Sequence, residues 1–280
     1  MSKVVAVQFD KDVQASFDRA IKLVNIKDLN SKDRAVVVKV GVFSKSGRQH
    51  TTVEVINALT NAFNKTSRIY LAESDNYSGP ARKRLEIWNL AYSDRVVPFN
   101  LSTDKNTREV RVADEELQLS NMIFKPNVFV STHVPRRIQG VFGDLFLNKG
   151  SVLKNLLGLV PDREKARFHQ KLPSALLDMY EAIGGIDLAV LDGTYTFLGA
   201  GKRKRRMKTK VILVGRDAVS VETVGAYLVG LDPEQNPVIQ EAMKRGLGER
   251  DINRIEILGD SIENTRENII QSFRELSQKS

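Results

Sequence analysis

The stretch "AVVVKVGVF", residues 35–43, decides the fold class. Its valines run on without the polar alternation of a half-exposed strand. Such a run reads as a strand covered on both faces, as in parallel sheets. One residue interrupts it. Lys39 sets an ammonium among valines, which leaves two readings: the stem snorkels and carries its charge to water, or the charge is buried against an anion.

Outward from this strand, "TTVEVINALTNAF" places apolar residues at 55, 56, 59, 62 and 63, which is helical spacing. "SRIYLAESD" reads as a second strand and "GPARKRLEIWNLAYS" as a second helix. "RVVPFNL" and "REVRV" are short strand candidates, and "PNVFVSTHV" is a strong one. Two helices are predicted next, one before Pro173 and one running from Pro173 to Ile183. "IDLAVLDG" and "KTKVILVG" are further strands, and "DAVSVETVGAYLVG" is the helix fed by the second. "IEILG" and a final amphipathic helix carrying Ile262, Ile269, Ile270, Phe273 and Leu276 end the chain. The alternation predicts an α/β fold with a mainly parallel central sheet and helices on both faces. A single domain over residues 1–280 is expected, with a small inserted β subregion at 100–125.

The 280 residues are 41% hydrophobic, enough for a full core without disulfides. There is no cysteine. Thiolate catalysis and Cys-ligated zinc or iron–sulfur clusters are thereby excluded. The first residues lack a signal-peptide pattern, and no apolar run approaches the roughly 20 residues of a bilayer span. These features give the expectation of a cytoplasmic protein without a membrane partner. Lys202, Arg203, Lys204, Arg205, Arg206, Lys208 and Lys210 form one basic run; without it the net charge of +9 falls to +2. Charge is therefore a local feature, expected on a solvent-exposed loop or hairpin tip.

Ligands of open α/β sheets bind beyond the carboxyl ends of the strands. The polar residues there include Glu73, His133, Asp192 and Asp217, with Lys39 inside its strand. Each also has a plainer structural role open to it. Asp192-Gly193 suits a turn, Asp217 suits a helix N-cap, and His50 suits an exposed loop. Lys154 and Asn155 lie in "GSVLKNLLGLVP", a short helix or turn whose leucines supply an apolar face. "GAGKRK" fails as a phosphate loop, because Thr196 and Arg203 replace the required Gly and Ser or Thr.

With these pieces in order, the chain resembles domain-of-unknown-function family 362. The resemblance rests on "VVVKVGVFS", "THV", "KNLLGLVP" followed by His169, "LAVLDG", "VILVGRDAVSVETVGAYLVGLDP" and "GLGERDINRIEILG", over about residues 34–260. It implies a crevice built from Lys39, His133, Lys154, Asn155, His169, Asp192 and Asp217. Some members carry ferredoxin-like cysteines, an activity that a cysteine-free chain cannot share.

Three function classes follow. In the first, a small anionic substrate is held by Lys39, Lys154, Asn155, Asp217 and Glu73. Lys154 also belongs to the catalytic set, His133 or His169 moves a proton, and Asp192 orients a histidine or acts as base. In the second, Lys202, Arg203, Lys204, Arg205 and Arg206 grip nucleic acid or another polyanion. In the third, His133, His169 and carboxylates hold a catalytic metal. Sequence leaves the reaction, the cofactor and the oligomeric state open.

Overall fold

A computed structural model of the chain describes residues 1–139, 151–200 and 203–278. In chain order the elements are β1 (Ser2–Gln8), α1 (Val13–Val24), β2 (Val36–Val40), α2 (Val53–Ala62), β3 (Ile69–Glu73), α3 (Ala81–Leu85), β4 (Val96–Asn100), β5 (Thr107–Val112), β6 (Glu115–Ser120), β7 (Val128–His133), β8 (Arg136–Gln139), α4 (Leu172–Ala182), β9 (Leu188–Ala200), β10 (Arg203–Gly215), α5 (Ala218–Leu228), α6 (Pro237–Lys244), β11 (Ile255–Gly259) and α7 (Glu263–Gln278). Short 3-10 turns cover Lys154–Leu159 and Lys165–Lys171.

The valine run, as β2, lies between β7 and β3 in the strand order β11-β1-β10-β9-β7-β2-β3-β4, with β8 joined to β9. The pairs β2–β3, β2–β7, β3–β4, β7–β9, β8–β9 and β1–β11 are parallel. All five residues of β2 are buried. Its alternate side chains serve two cores. Val36, Val38 and Val40 pack with Phe17, Ile56, Leu59 and Trp88. Val37 belongs to the core on the other face, which also holds Leu156, Leu176, Val224 and Phe273. Helices therefore cover both faces, and the strand period of two puts Lys39 on the side of Val37. Residues 107–120 form a separate two-stranded sheet of β5 and β6, inside the stretch expected to be inserted.

Two features depart from the sequence reading. First, "IDLAVLDG" and "KTKVILVG" belong to strands of 13 residues each, which pair with one another antiparallel. The basic run is thus part of β10 and not a loop, although Arg203, Lys204, Arg205 and Arg206 are all exposed. Lys202 lies outside the described residues. Second, the N-terminal "VVAV" is a buried strand between β10 and β11. No helix among the described residues is long and apolar enough to cross a membrane.

Asp217 is accounted for by the fold. Its Oδ1 accepts from Val219 N and Ser220 N at 3.0 and 3.1 Å, capping α5. Its Oδ2 accepts from Ser2 Oγ, Ser220 Oγ and Glu249 N at 3.0, 2.7 and 2.8 Å. The carboxylate ties β1, α5 and the segment before β11 together, and this replaces the substrate-binding role. Asp217→Ala is expected to lower the unfolding free energy by about 2–4 kcal/mol, as a lost cap plus lost charge-assisted bonds. A urea midpoint identical to that of the parent would contradict this assignment.

Candidate functional site

A cavity of about 300 Å³ opens at the carboxyl ends of β2, β3 and β7. Its walls bring together Lys39, Glu73, His133, Lys154, Asn155 and His169, along with Arg136, Arg163 and Lys165. Strand ends supply the first three residues. The turn Lys154–Leu159 crosses above them, anchored by the buried side chains of Leu153, Leu156 and Leu159.

Lys39 has no exposed surface. An ammonium has three protons to place. They meet Val40 O, Asn155 Oδ1 and Glu73 Oε1, each at 3.0 Å. Burial pulls the Lys39 ammonium below its ordinary value, with Glu73 opposing that shift. Glu73 is equally committed: it accepts from Ser74 N at 2.9 Å and Val42 N at 3.3 Å, and Arg84 stands 3.8 Å away. The pair is a satisfied buried ion pair that forms the cavity floor. Gly158 lets the turn come down onto it, since a Cβ there would sit 2.8 Å from Glu73 Oε1 and closer still to Lys39 Nζ.

Asn155 explains why an amide stands in an apolar run. Its Nδ2 donates to Lys39 O at 2.8 Å, Ser131 Oγ at 3.1 Å and Thr132 O at 3.2 Å. Every polar atom of the side chain is spent on β2 and β7. Asn155 positions the turn and does not donate to a ligand.

His133 is boxed in by donors. Val134 N faces Nδ1 at 2.7 Å, and Arg136 Nη2 faces Nε2 at 2.7 Å. A neutral imidazole has one acceptor nitrogen, and an imidazolium has none. Protonation is therefore opposed by geometry as well as by burial and by the Arg136, Lys39, His50 and Lys154 charges, which hold the ring well below its usual range. Both influences favour the neutral ring. Its ring lies against Gly41, where a Cβ would come within 2.8 Å of His133 Cγ. Arg136, held by His133, also donates to Gln49 Oε1 at 2.7 Å, and its buried Nε meets no acceptor.

Lys165 is the group best suited to proton transfer. It is 8% exposed, and burial lowers its ammonium to about 7, with Glu73 opposing and Lys39 and Arg84 adding to the shift. Its Nζ donates to Ser74 Oγ, which donates onward to Gly158 O at 2.5 Å. His169 lies at the exposed rim, as does Arg163, which meets Asp75 at 3.7 Å.

Asp192 does not belong to this cavity. Its Oδ2 accepts from Thr52 N and Oγ1 at 2.7 and 3.0 Å, and its Oδ1 from Thr194 N and Oγ1 at 2.9 and 2.6 Å. It fixes the cap of α2 and hydrogen-bonds no histidine. His50, expected in an exposed loop, is half-buried and meets Trp88 edge-on at 5.5 Å. No group of three or more His, Cys, Asp or Glu able to hold a metal occurs among the described residues.

A family model described as a domain of unknown function, DUF362, matches residues 36–227. The chain belongs to that family. No curated protein matches it. The family match takes in every cavity-lining residue named above and leaves out β1, α1, α6, β11 and α7.

Lys165, Arg136 and Arg163 were not among the sequence-derived candidates. Lys165 and Arg163 sit in "DREKAR", a charge-rich segment that reads as solvated surface. Arg136 stands three residues past His133, where proximity in sequence was the only clue.

Asn155→Leu removes an acceptor from the Lys39 ammonium and the amide donors that tie the turn to Lys39 O and Ser131 Oγ. The expected cost is about 3–5 kcal/mol, the range for breaking a buried charged network. Chemical denaturation with an unchanged midpoint would show that the network does not hold the turn.

Proposed function

We propose that this cavity binds a small anion, a carboxylate or phosphate, and that Lys165 moves a proton on the bound molecule. The observation that carries this reading is the charge of the walls. Lys39, Arg136, Lys154, Arg163 and Lys165 line the space, and Glu73 is its one lining carboxylate among the described residues. Glu73 is already matched to Lys39. Arg136 and Lys165 bond to the neutral groups of Gln49, His133 and Ser74, so an anion beside them meets their charge, and low dielectric strengthens the attraction.

Near pH 7 Lys165 is divided between amine and ammonium. In the amine form one N–H holds Ser74 Oγ and the lone pair can take a proton from the ligand. In the ammonium form it returns that proton. His133 keeps Arg136 in place and stays neutral throughout.

The sign of the proton linkage is fixed. A bound anion favours the charged form of Lys165 and raises its pKa, so binding slightly above pH 7 takes up protons. Calorimetry of small carboxylates, which are fully ionised near pH 7, in two buffers of different ionisation enthalpy should show that uptake, and Lys165→Met should abolish it. In thermal denaturation, an effective anion at about a hundredfold excess over Kd stabilises by about 2.7 kcal/mol. Chloride at equal ionic strength is the control. A panel in which no anion exceeds chloride would overturn the proposal.

A further inference from the structure

The exposed cations of β10 play no part in the cavity above. Strand pairing divides them into two sets. Lys204 lies opposite Gly199, Arg206 opposite Phe197 and Lys208 opposite Tyr195. Directly paired residues share a face of the sheet. One face of the hairpin thus carries Lys204, Arg206 and Lys208 beside Tyr195 and Phe197. The other face turns to α7, where Arg205 meets Glu275 at 3.7 Å and Met207 packs on the core.

The cation and aromatic face leads into a second cavity, of about 430 Å³. Lys45, Arg48, His50, Tyr195, Phe197 and Arg206 line it, and no carboxylate does among the described residues. The Arg206 guanidinium lies 3.4 Å over the Tyr195 ring. Lys204, Arg206 and Lys208 are exposed and recur every second residue, about 6.7 Å apart along the strand.

We propose that this face binds single-stranded nucleic acid. Phosphates follow the row Lys204, Arg206 and Lys208, and one base enters the cavity beside Tyr195 and the guanidinium of Arg206. The aromatic side chains select the single strand. They are recessed in a concavity, which admits an unpaired base and not the closed stack of a duplex. A basic run alone would follow any polyanion; the aromatics of the paired strand supply the stacking that the run itself lacks.

Fluorescence anisotropy with a labelled oligothymidylate of roughly a dozen nucleotides tests this. Affinity should fall steeply between about 50 and about 200 mM salt. Combined Lys204→Ser, Arg206→Ser and Lys208→Ser should weaken binding at least about a hundredfold and flatten the salt slope by about 2. Arg203→Ser with Arg205→Ser, on the opposite face, should cost only about threefold, a purely long-range charge effect. Tyr195→Leu should cost about tenfold and leave the salt slope unchanged. Lys165→Met should bind as the parent does, which separates this surface from the anion cavity. Circular dichroism confirms folding of each variant. Equal losses from the two faces, a neutral Tyr195→Leu, equal affinity for duplex, or binding to phosphatidylserine vesicles without binding to the oligonucleotide would each overturn the proposal.

Discussion

Lys39 brings a charged group into the middle of a valine strand, and the geometry around it is the solution to that problem. A buried ammonium is tolerated only when each proton has an acceptor. The three acceptors come from three places: the end of β2, the end of β3 and the 154–159 turn. The turn is therefore fastened to the sheet by the need to satisfy the lysine. Asn155 repeats the fastening through β7, and Gly158 makes room for it. The cavity is the space left beside this clamp.

The clamp also sets the protonation of its neighbours. Glu73 is used up by Lys39 and two backbone amides, so it only partly offsets the charge felt by Lys165. Lys39 and Arg84 add to the burial that brings Lys165 near neutrality. Burial, and then the charges of Arg136, Lys39, His50 and Lys154, pull His133 well below its usual range. The wall containing His133, Val134 and Arg136 is shared ground: His133 and Arg136 face the first cavity, and Val134 lines the second. Two cavities with different linings thus stand on either side of one strand end.

Sequence alone revealed much of this architecture, for a definite physical reason. Burial on both faces removes polar alternation, so β2, the start of β7 and the first part of β9 announce themselves as apolar runs, β2 broken only by Lys39. The strand-end rule then led to Lys39, Glu73 and His133. It led equally to Asp217, because a carboxylate beside a helix N-terminus looks the same in sequence whether it faces a ligand or caps the helix, and to Asp192, because Asp-Gly resembles a turn at a strand end whereas β9 runs on to Ala200. The continuation of β10 through 203–207 was hidden, since cations on both sides of a strand erase every hydrophobic signal. Its partner residues Tyr195 and Phe197 reveal it only once the register is known. Lys165 was invisible because burial, not residue type, gives it its chemistry.

The position of β1 bears on how the chain assembles. β1 pairs with β10 on one side and β11 on the other, partners more than two hundred residues along the chain. Contacts so distant in sequence close late and slow the overall reaction. Both flanking strands of the far sheet edge, β1 and β11, lie outside the family match, whereas β2, β3, β4, β7 and β9 lie inside it. The core that carries the first cavity can therefore form around nearer neighbours. Without β1 in place, β10 would present an unpaired edge to any passing strand.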